Sequence, residues 1–303
     1  ALEMRLLIFV NLSLYTKSYL NKILCLIFII VLYSSCSPIA YILDKQPKVG
    51  SSIYSKKIKS IQNKIQISNS SDIDLLQRGV QELTMYSYGF LIEESDRIIL
   101  DNYSKGKKIE NEAHDYFSEA VKYGDLALSK KYENYLNWLT GSSSILANSE
   151  LLDLNLLYWT AAAYGGAISS SSADPAWVIK LPRVGKLLNQ IVHVDSSWNG
   201  GAAIVALISF TMNNPKINFN ERIKKSKKLF SYALKVSGGN DLGPYVTYAE
   251  SVSMANQNRE EFIHLLRSAL KIDIKANKDL VLTNIISKNR AKWLLENIDE
   301  FFY

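Results

Sequence analysis

The sequence predicts an all-α protein, and three features of its pattern point to that fold class. From Asp72 onward, apolar residues recur three and four positions apart, the spacing of one buried helical face. Glycine and proline are confined to a few short junctions between these segments. No segment alternates apolar and polar residues for long enough to indicate a strand. We therefore expect helices from Asp72 to the C-terminus.

The N-terminal segment has the layout of an export signal. Lys17 and Lys22 precede an apolar run over residues 23–33, and small serines then precede Cys36. The run is shorter than the roughly 20 apolar residues of a typical spanning helix. Its ending, Leu-Tyr-Ser-Ser-Cys, resembles a bacterial lipobox, which implies cleavage of residues 1–35 and lipidation of Cys36. The alternative is an uncleaved anchor helix. Both interpretations predict a body outside the cytoplasm, tethered to a membrane.

Residues 36–71 are predicted to be a tether between this leader and the folded domain, residues 72–303. The segment is rich in Ser, Lys, Ile, Asn and Gln, and prolines occur at Pro38 and Pro47. Its basic run Lys56-Lys57-Ile58-Lys59 lies close in sequence to the predicted anchor, where it could contact anionic headgroups.

Two kinds of helical segment repeat along the domain. In one kind a small or apolar residue, a large apolar residue and an alanine share a stripe, starting at Ala113, Ser226 and Phe262. In the other kind a large residue is followed by two small ones on the same stripe, starting at Trp159, Trp198 and Val246. Small residues let two helix axes approach closely, so the two kinds are predicted to pair as tetratricopeptide-like hairpins.

Four hairpins and a C-terminal capping helix are expected. Local signals support the boundaries: Gly238-Gly239 stops one helix, Pro244 starts the next, and Asn258 is placed to cap a helix that opens with acids. The predicted pairs are 75–102 with 110–128, 152–168 with 180–194, 198–212 with 220–237, and 244–257 with 259–272, and the cap is 278–302.

Composition excludes several classes of function. The chain has 35 basic and 29 acidic residues, and its basic runs are not interleaved with the aromatic residues that a nucleic-acid platform needs. The three histidines are far apart in sequence and lack partners at metal-ligand spacing. No nucleophile elbow, phosphate-binding loop or dinucleotide fingerprint occurs. We expect no enzyme activity, no metal, no cofactor and no nucleic-acid partner.

Several stretches resemble one known family in the same order along the chain. They are RGVQELTMYSYGFLIEESDRIILDNY (78–103), AHDYFSEAVKYGDLAL (113–128), LYWTAAAYGGAI (157–168), WNGGAAIVALI (198–208), GGNDLGPYVTYAESVSMANQNREEFIHLLRSALKID (238–273) and LTNIISKNRAKWLLENIDEFF (282–302). These stretches are similar to the T component of TRAP transporters. The resemblance implies a lipid-anchored periplasmic accessory to an ATP-independent uptake system. It further implies association with the extracytoplasmic solute-binding component, a homotrimer around a central space, and a hydrophobic ligand.

The first helices of stacked hairpins line the concave side, so their exposed aromatic and amide residues are candidates to face a partner or ligand. The candidates are Tyr158, Trp159, Tyr164, Asn199, Tyr245, Tyr248 and Asn256, with Trp177 in a long loop as a lid. Core packing is the alternative for Trp159 and Trp198, and it competes evenly for Tyr245 and Tyr248. Gly165-Gly166 and Gly200-Gly201 are expected to permit close helix contact.

Two functions of different kinds are compatible with these features. The first is a tethered scaffold that docks a solute-binding protein and shelters an apolar solute. The second is a structural envelope lipoprotein that self-assembles through its repeats and has no role in transport. No constellation of residues supports the third possibility, an enzyme.

Overall fold

The computed structural model of the protein describes residues 47–144, 146 and 152–303. The predicted signal peptide (1–35), Cys36 and the first part of the predicted tether lie outside the described residues, so these three remain predictions. Within the described residues every regular element is a helix and none is a strand. The predicted all-α fold class is therefore confirmed.

The α-helices follow one another with short connections. They are α1 Pro47–Ile67, α2 Ile73–Tyr86, α3 Glu93–Ile99, α4 Tyr103–Lys131, α5 Tyr135–Thr140, α6 Leu154–Ser169, α7 Pro175–Val178, α8 Leu181–Val194, α9 Ala202–Asn213, α10 Phe219–Val236, α11 Gly243–Tyr248, α12 Arg259–Leu270 and α13 Val281–Glu296. A π-helical turn, Ser87–Ile92, joins α2 to α3, and a second one, Ala249–Ser253, extends α11. Short 3-10 turns occupy Trp198–Gly201, Lys278–Leu280 and Ile298–Glu300.

The helices pack in pairs, as the sequence predicts. The continuous α2–α3 packs on α4, α6 on α8, α9 on α10 and α11 on α12, while α13 packs on α11 and α12. Asparagine or aspartate caps five of the helices, each accepting a hydrogen bond from the backbone N–H three residues later. These caps are Asp72, Asn102, Asp153, Asn218 and Asn258.

The predicted repeat stripes form the core between the paired helices. Ala113, Phe117 and Ala120 of α4 are fully buried, and so are Phe262 and its stripe partners in α12. Gly166 of α6 lies so close to Phe117 that a Cβ at this glycine would be 2.4 Å from the ring. Small residues therefore set the short distance between α4 and α6, which is the packing that the sequence pattern predicted.

The prediction of a tether over residues 36–71 is wrong for residues 47–67, because these form helix α1 on the outside of α2. Tyr54, Ile58 and Ile65 are buried on one face of α1, with 8%, 0% and 2% of their surfaces exposed. Ile65 meets α2 at Gly79, where a Cβ would be 2.7 Å from its Cδ1. The polar composition misled the prediction because it reflects only the outward face of this amphipathic helix.

Candidate functional site

The inner side of the hairpin stack brings aromatic side chains of distant segments together. Tyr88 lies in the π-helical turn after α2, where the extra residue of the turn changes the direction of the side chains relative to a regular helix. Its hydroxyl donates a hydrogen bond to the Ala162 carbonyl of α6 at 3.2 Å. Its ring packs edge-on against Phe117, with 4.6 Å between the ring centroids.

Tyr158 of α6 lies between two tryptophans. Its ring centroid is 5.4 Å from that of Trp159 and 5.3 Å from that of Trp198. Burial raises the pKa of Tyr158 to about 12, and the negative charge of Asp241 adds to this effect. The phenol is therefore neutral at physiological pH and can donate a hydrogen bond.

These side chains line a recess rather than a sealed core. Tyr88 keeps 40% of its surface exposed and Tyr158 is half-buried. Burial among protein atoms nevertheless raises the pKa of Tyr88, with a further contribution from Tyr158. A side chain that contacts solvent while protein surrounds it lies in a concavity. We call Tyr88, Tyr158, Trp198 and Asp241 the inner recess.

Asp241 is the acidic member of the inner recess. It follows the glycine pair that ends α10, and its Oδ1 accepts a hydrogen bond from the Gly243 N–H at 2.8 Å. Burial raises the pKa of its carboxyl, while this hydrogen bond lowers it. The recess thus combines aromatic walls with one partly desolvated acid, which is suited to an apolar molecule that carries a hydrogen-bond donor.

An ion-pair cluster joins the two ends of the stack. Arg290 of α13 places Nη1 2.7 Å from Asp96 Oδ2 and 3.4 Å from Glu93 Oε1, and its Nη2 is 2.7 Å from Glu250 Oε1. Its guanidinium also lies 4.6 Å from the centre of the Trp293 ring. Desolvation raises the pKa of Glu250, although the charge of Arg290 opposes the shift. The last long helix therefore contacts the first hairpin, which closes the stack at this point.

Comparison with known proteins adds a family to this geometry. The family model described as TRAP transporter T-component matches residues 54–302. The chain belongs to the TRAP transporter T-component family. A relative in Treponema pallidum (strain Nichols), named only as an uncharacterized protein, is 21% identical over 223 residues, covering 72% of this chain and 69% of the relative.

Membership makes this T-component protein an accessory component of a TRAP transporter, a class of transport proteins rather than of enzymes. It also indicates a protein of the periplasm or the membrane. None of the helices in the described part of the chain is long and apolar enough to cross a membrane. The family match begins within α1, which agrees with α1 being part of the fold.

Two of the predicted site residues of this T-component protein are buried, so the prediction that they are exposed is wrong. Tyr164 has 1% of its surface exposed, and its hydroxyl donates to Asp125 Oδ2 at 2.6 Å while accepting from Arg183 at 2.9 Å. Tyr248 has 3% exposed and packs its ring 4.8 Å from that of Phe230. Both tyrosines hold helices together, because partners within the fold occupy their rings and hydroxyls.

The other predicted site residues do not form one surface. Trp159 is half-buried beside Tyr158 and donates from Nε1 to Asn155 Oδ1 at 3.0 Å. Tyr245 is half-buried against Phe230, at 5.4 Å between ring centroids. Asn199 and Asn256 are exposed, in separate segments.

Trp177, the predicted lid residue, is half-buried in the short helix α7. It packs edge-on against His114 of α4 at 5.5 Å between ring centroids, and Lys180 Nζ lies 3.8 Å from the centre of its ring. These contacts tie α7 to the second helix of the first hairpin. Its role as a lid remains a prediction.

Sequence reasoning missed Tyr88, Asp241, Glu250 and Arg290. Tyr88 lies within a stretch that resembles the family, but the turn that exposes it is π-helical, and no local pattern marks that geometry. Glu93 belongs to an acidic pair that the sequence assigns to a solvated helix face, whereas the structure pairs it with Arg290. Across the ranges that the structure describes, no group of His, Cys, Asp or Glu is suited to hold a metal.

Proposed function

We propose that this protein is a membrane-tethered accessory of a TRAP-type uptake system that docks the extracytoplasmic solute-binding protein at the inner recess. The observation that carries the proposal is the group of aromatic side chains, Tyr88, Tyr158 and Trp198, that keep solvent contact within a concave surface. Membership of the T-component family supplies the transport context.

The chemistry of the recess suits a solute that is largely apolar and is passed between the two proteins. Aromatic rings offer a large contact area at a small cost in side-chain entropy, and tyrosine and tryptophan are enriched where binding energy concentrates. Asp241 would accept a hydrogen bond from a polar end of the solute. The tetratricopeptide-like hairpins would act as the scaffold, and lipidation at Cys36 would tether it.

Trimerisation belongs to the same proposal. In a homotrimer each copy would present its inner recess towards a shared central space, so that solute-binding proteins could dock at three equivalent positions. Mass measurement of the detergent-extracted protein by light scattering tests this part separately, and a monomer at all concentrations would contradict it.

The test of docking is co-purification. The protein, extracted in detergent from cells that carry the whole transporter, should retain the solute-binding protein, and Tyr158→Ala together with Trp198→Ala should reduce the retained amount about tenfold or more. Tyr232→Ala is the matched control, since Tyr232 is 42% exposed on α10. Equal retention by all variants, or no retention by the unmodified protein, would contradict docking at the recess.

A deletion of the gene distinguishes transport from a purely structural role in the envelope. Loss of solute uptake with an intact envelope supports the proposal. Unchanged uptake with a weakened envelope would instead favour a lipoprotein that self-assembles through its repeats.

A further inference from the structure

Helix α1 has an outward face that the interior of the protein does not explain. Its inward face is held by Tyr54, Ile58 and Ile65, which are buried. This burial fixes which residues point away from the fold. The exposed residues opposite include two large apolar side chains, Ile53 with 55% and Ile67 with 85% of their surfaces exposed.

The same face is strongly basic. The sequence of α1, PKVGSSIYSKKIKSIQNKIQI, contains five lysines and no acidic residue. Lys56, Lys59 and Lys64 are exposed, and no carboxylate in the described part of the chain lies within ion-pair distance of them. Because their ammonium groups are not neutralised, they create a positive potential over the face.

The acidic groups that neighbouring helices bring to α1 lie along its flanks. Glu82 of α2 pairs with Lys57 at 2.6 Å, and Glu119 of α4 accepts from Gln62 at 2.6 Å. Both contacts hold α1 against the fold. They leave the lysines and isoleucines on the opposite side free for an external partner.

We propose that the outward face of α1, defined by Ile53, Lys56, Lys59, Lys64 and Ile67, lies against an anionic lipid surface and orients the domain on the membrane. Lysines attract anionic headgroups, and isoleucines set among them can enter the boundary between headgroups and acyl chains. This inference concerns the membrane and does not depend on which protein docks at the inner recess.

The position of α1 in the chain favours a lipid surface over another protein. Cys36, the predicted attachment point, precedes the first residue of α1 by 11 positions, a distance of at most about 40 Å even when the chain is fully extended. The basic face is therefore held near headgroups at high effective concentration. A single lipid anchor binds membranes reversibly, and a polybasic surface is the usual second contact that makes attachment stable.

Helix α10 provides an internal control. It also exposes lysines, including Lys224, Lys227 and Lys228, around an open depression of about 510 Å³ on its outer side. However, α10 contains Glu221, which lies 3.6 Å from Lys225, and it is distant in sequence from the predicted anchor. The proposal assigns membrane contact to α1 and none to α10.

The experiment is lysine footprinting of the full chain in vesicles. A water-soluble acylating reagent is applied to vesicles of phosphatidylcholine alone, or of phosphatidylcholine mixed with phosphatidylglycerol, and the modification at each lysine is read by mass spectrometry. On the anionic vesicles the rates at Lys56, Lys59 and Lys64 should fall roughly fivefold. The rates at Lys224, Lys227 and Lys228 should not change. Equal rates at the α1 lysines on the two kinds of vesicle, or equal protection of the α10 lysines, would overturn the proposal.

Two further arms identify what protects the lysines. Ile53→Glu together with Ile67→Glu should abolish the protection and leave the circular dichroism spectrum unchanged, because both side chains are exposed, whereas Tyr232→Glu on α10 should have no effect. Inorganic phosphate added to phosphatidylcholine vesicles should give no protection. Protection that survives the double substitution, or that phosphate alone produces, would show that the face is not held by an anionic bilayer.

Discussion

Arg290 in α13 and Asp96 in α3 form an ion pair, with Nη1 and Oδ2 2.7 Å apart. Stacked helical hairpins commonly make contacts only between neighbours, which leaves the two ends of the stack separate. Here one guanidinium also contacts Glu250, so α13, the π-helical turn after α11, and α3 meet at a single cation. This contact turns the inner side of the stack into a recess.

Loss of Arg290 should destabilise the protein strongly. Arg290→Ala would leave three carboxylates close together without their shared cation, and only 16% of the surface of the Arg290 side chain is exposed. We expect the free energy of unfolding to fall by about 2–4 kcal/mol, measured by urea denaturation. Arg97→Ala is the control, because the Arg97–Glu93 pair is largely exposed and should be worth less than about 1 kcal/mol. Equal losses would show that the cluster does not join the ends of the stack.

The neighbouring glycines of α6 should respond oppositely to alanine. At Gly166 the added Cβ would be 2.4 Å from the buried Phe117 ring, so Gly166→Ala should cost about 1–3 kcal/mol. At Gly165 its nearest contact would be the Tyr88 hydroxyl at 3.5 Å, so Gly165→Ala should be neutral or stabilise by up to about 1 kcal/mol. Thermal unfolding of the two variants checks the distance between α4 and α6. A neutral Gly166→Ala would mean that these helices are farther apart.

Helix α1 should contribute to the stability of the fold. Ile58 has none of its surface exposed, so Ile58→Ala should lower the free energy of unfolding by about 2–4 kcal/mol. Ile67, on the outward face, has 85% of its surface exposed, and Ile67→Ala should change it by less than about 0.5 kcal/mol. If residues 47–67 were a flexible tether, neither substitution would alter the unfolding midpoint.

Asp125 should make stability depend on pH with a defined sign. Its carboxylate accepts hydrogen bonds from Tyr135 at 2.7 Å and Tyr164 at 2.6 Å, but burial outweighs them and raises its pKa above the ordinary 3.8. The folded state therefore binds this proton more tightly than the unfolded chain does. The contribution of Asp125 to stability is fully present below pH 3.8 and falls as pH rises through the raised pKa.

Denaturation of the unmodified protein and of Asp125→Asn across this pH range measures the effect as a difference. The stability of the unmodified protein relative to the variant should decline as pH rises. Asp195 provides the opposite case, since hydrogen bonds from Ser197 lower the pKa of its carboxyl below 3.8. Its contribution is present above pH 3.8 and is lost as pH falls through the lowered pKa, so Asp195→Asn should reverse the slope. Slopes of the same sign would refute the assignment.

Most of the fold could be predicted because the helices carry their own signals. Caps such as Asp153 and Asn258 and the glycine pair before Asp241 mark helix ends through local backbone chemistry. The stripes of small and large residues, such as Ala113 and Phe117, predicted which helix faces pair. Helix α1 escaped prediction because its polar outward face dominates its composition.

The candidate site could not be predicted in the same way. Tyr158, Tyr164 and Tyr248 look alike in sequence, since each is a tyrosine on the first helix of a hairpin. The structure buries the hydroxyl of Tyr164 between Asp125 and Arg183, seals the ring of Tyr248 against Phe230, and leaves Tyr158 in contact with solvent. Their exposure depends on neighbours that come from other segments of the chain.

The sequence by itself determined the fold class, the pairing of helices and the family resemblance, because each depends on spacing within one helix or between adjacent helices. Only the tertiary structure decided that α13 contacts the first hairpin through Arg290, that Tyr88 and Tyr158 share a recess with Asp241, and that α1 turns a basic face outward. Such contacts join residues far apart in the chain, and their energies depend on burial and distance, which no local pattern encodes.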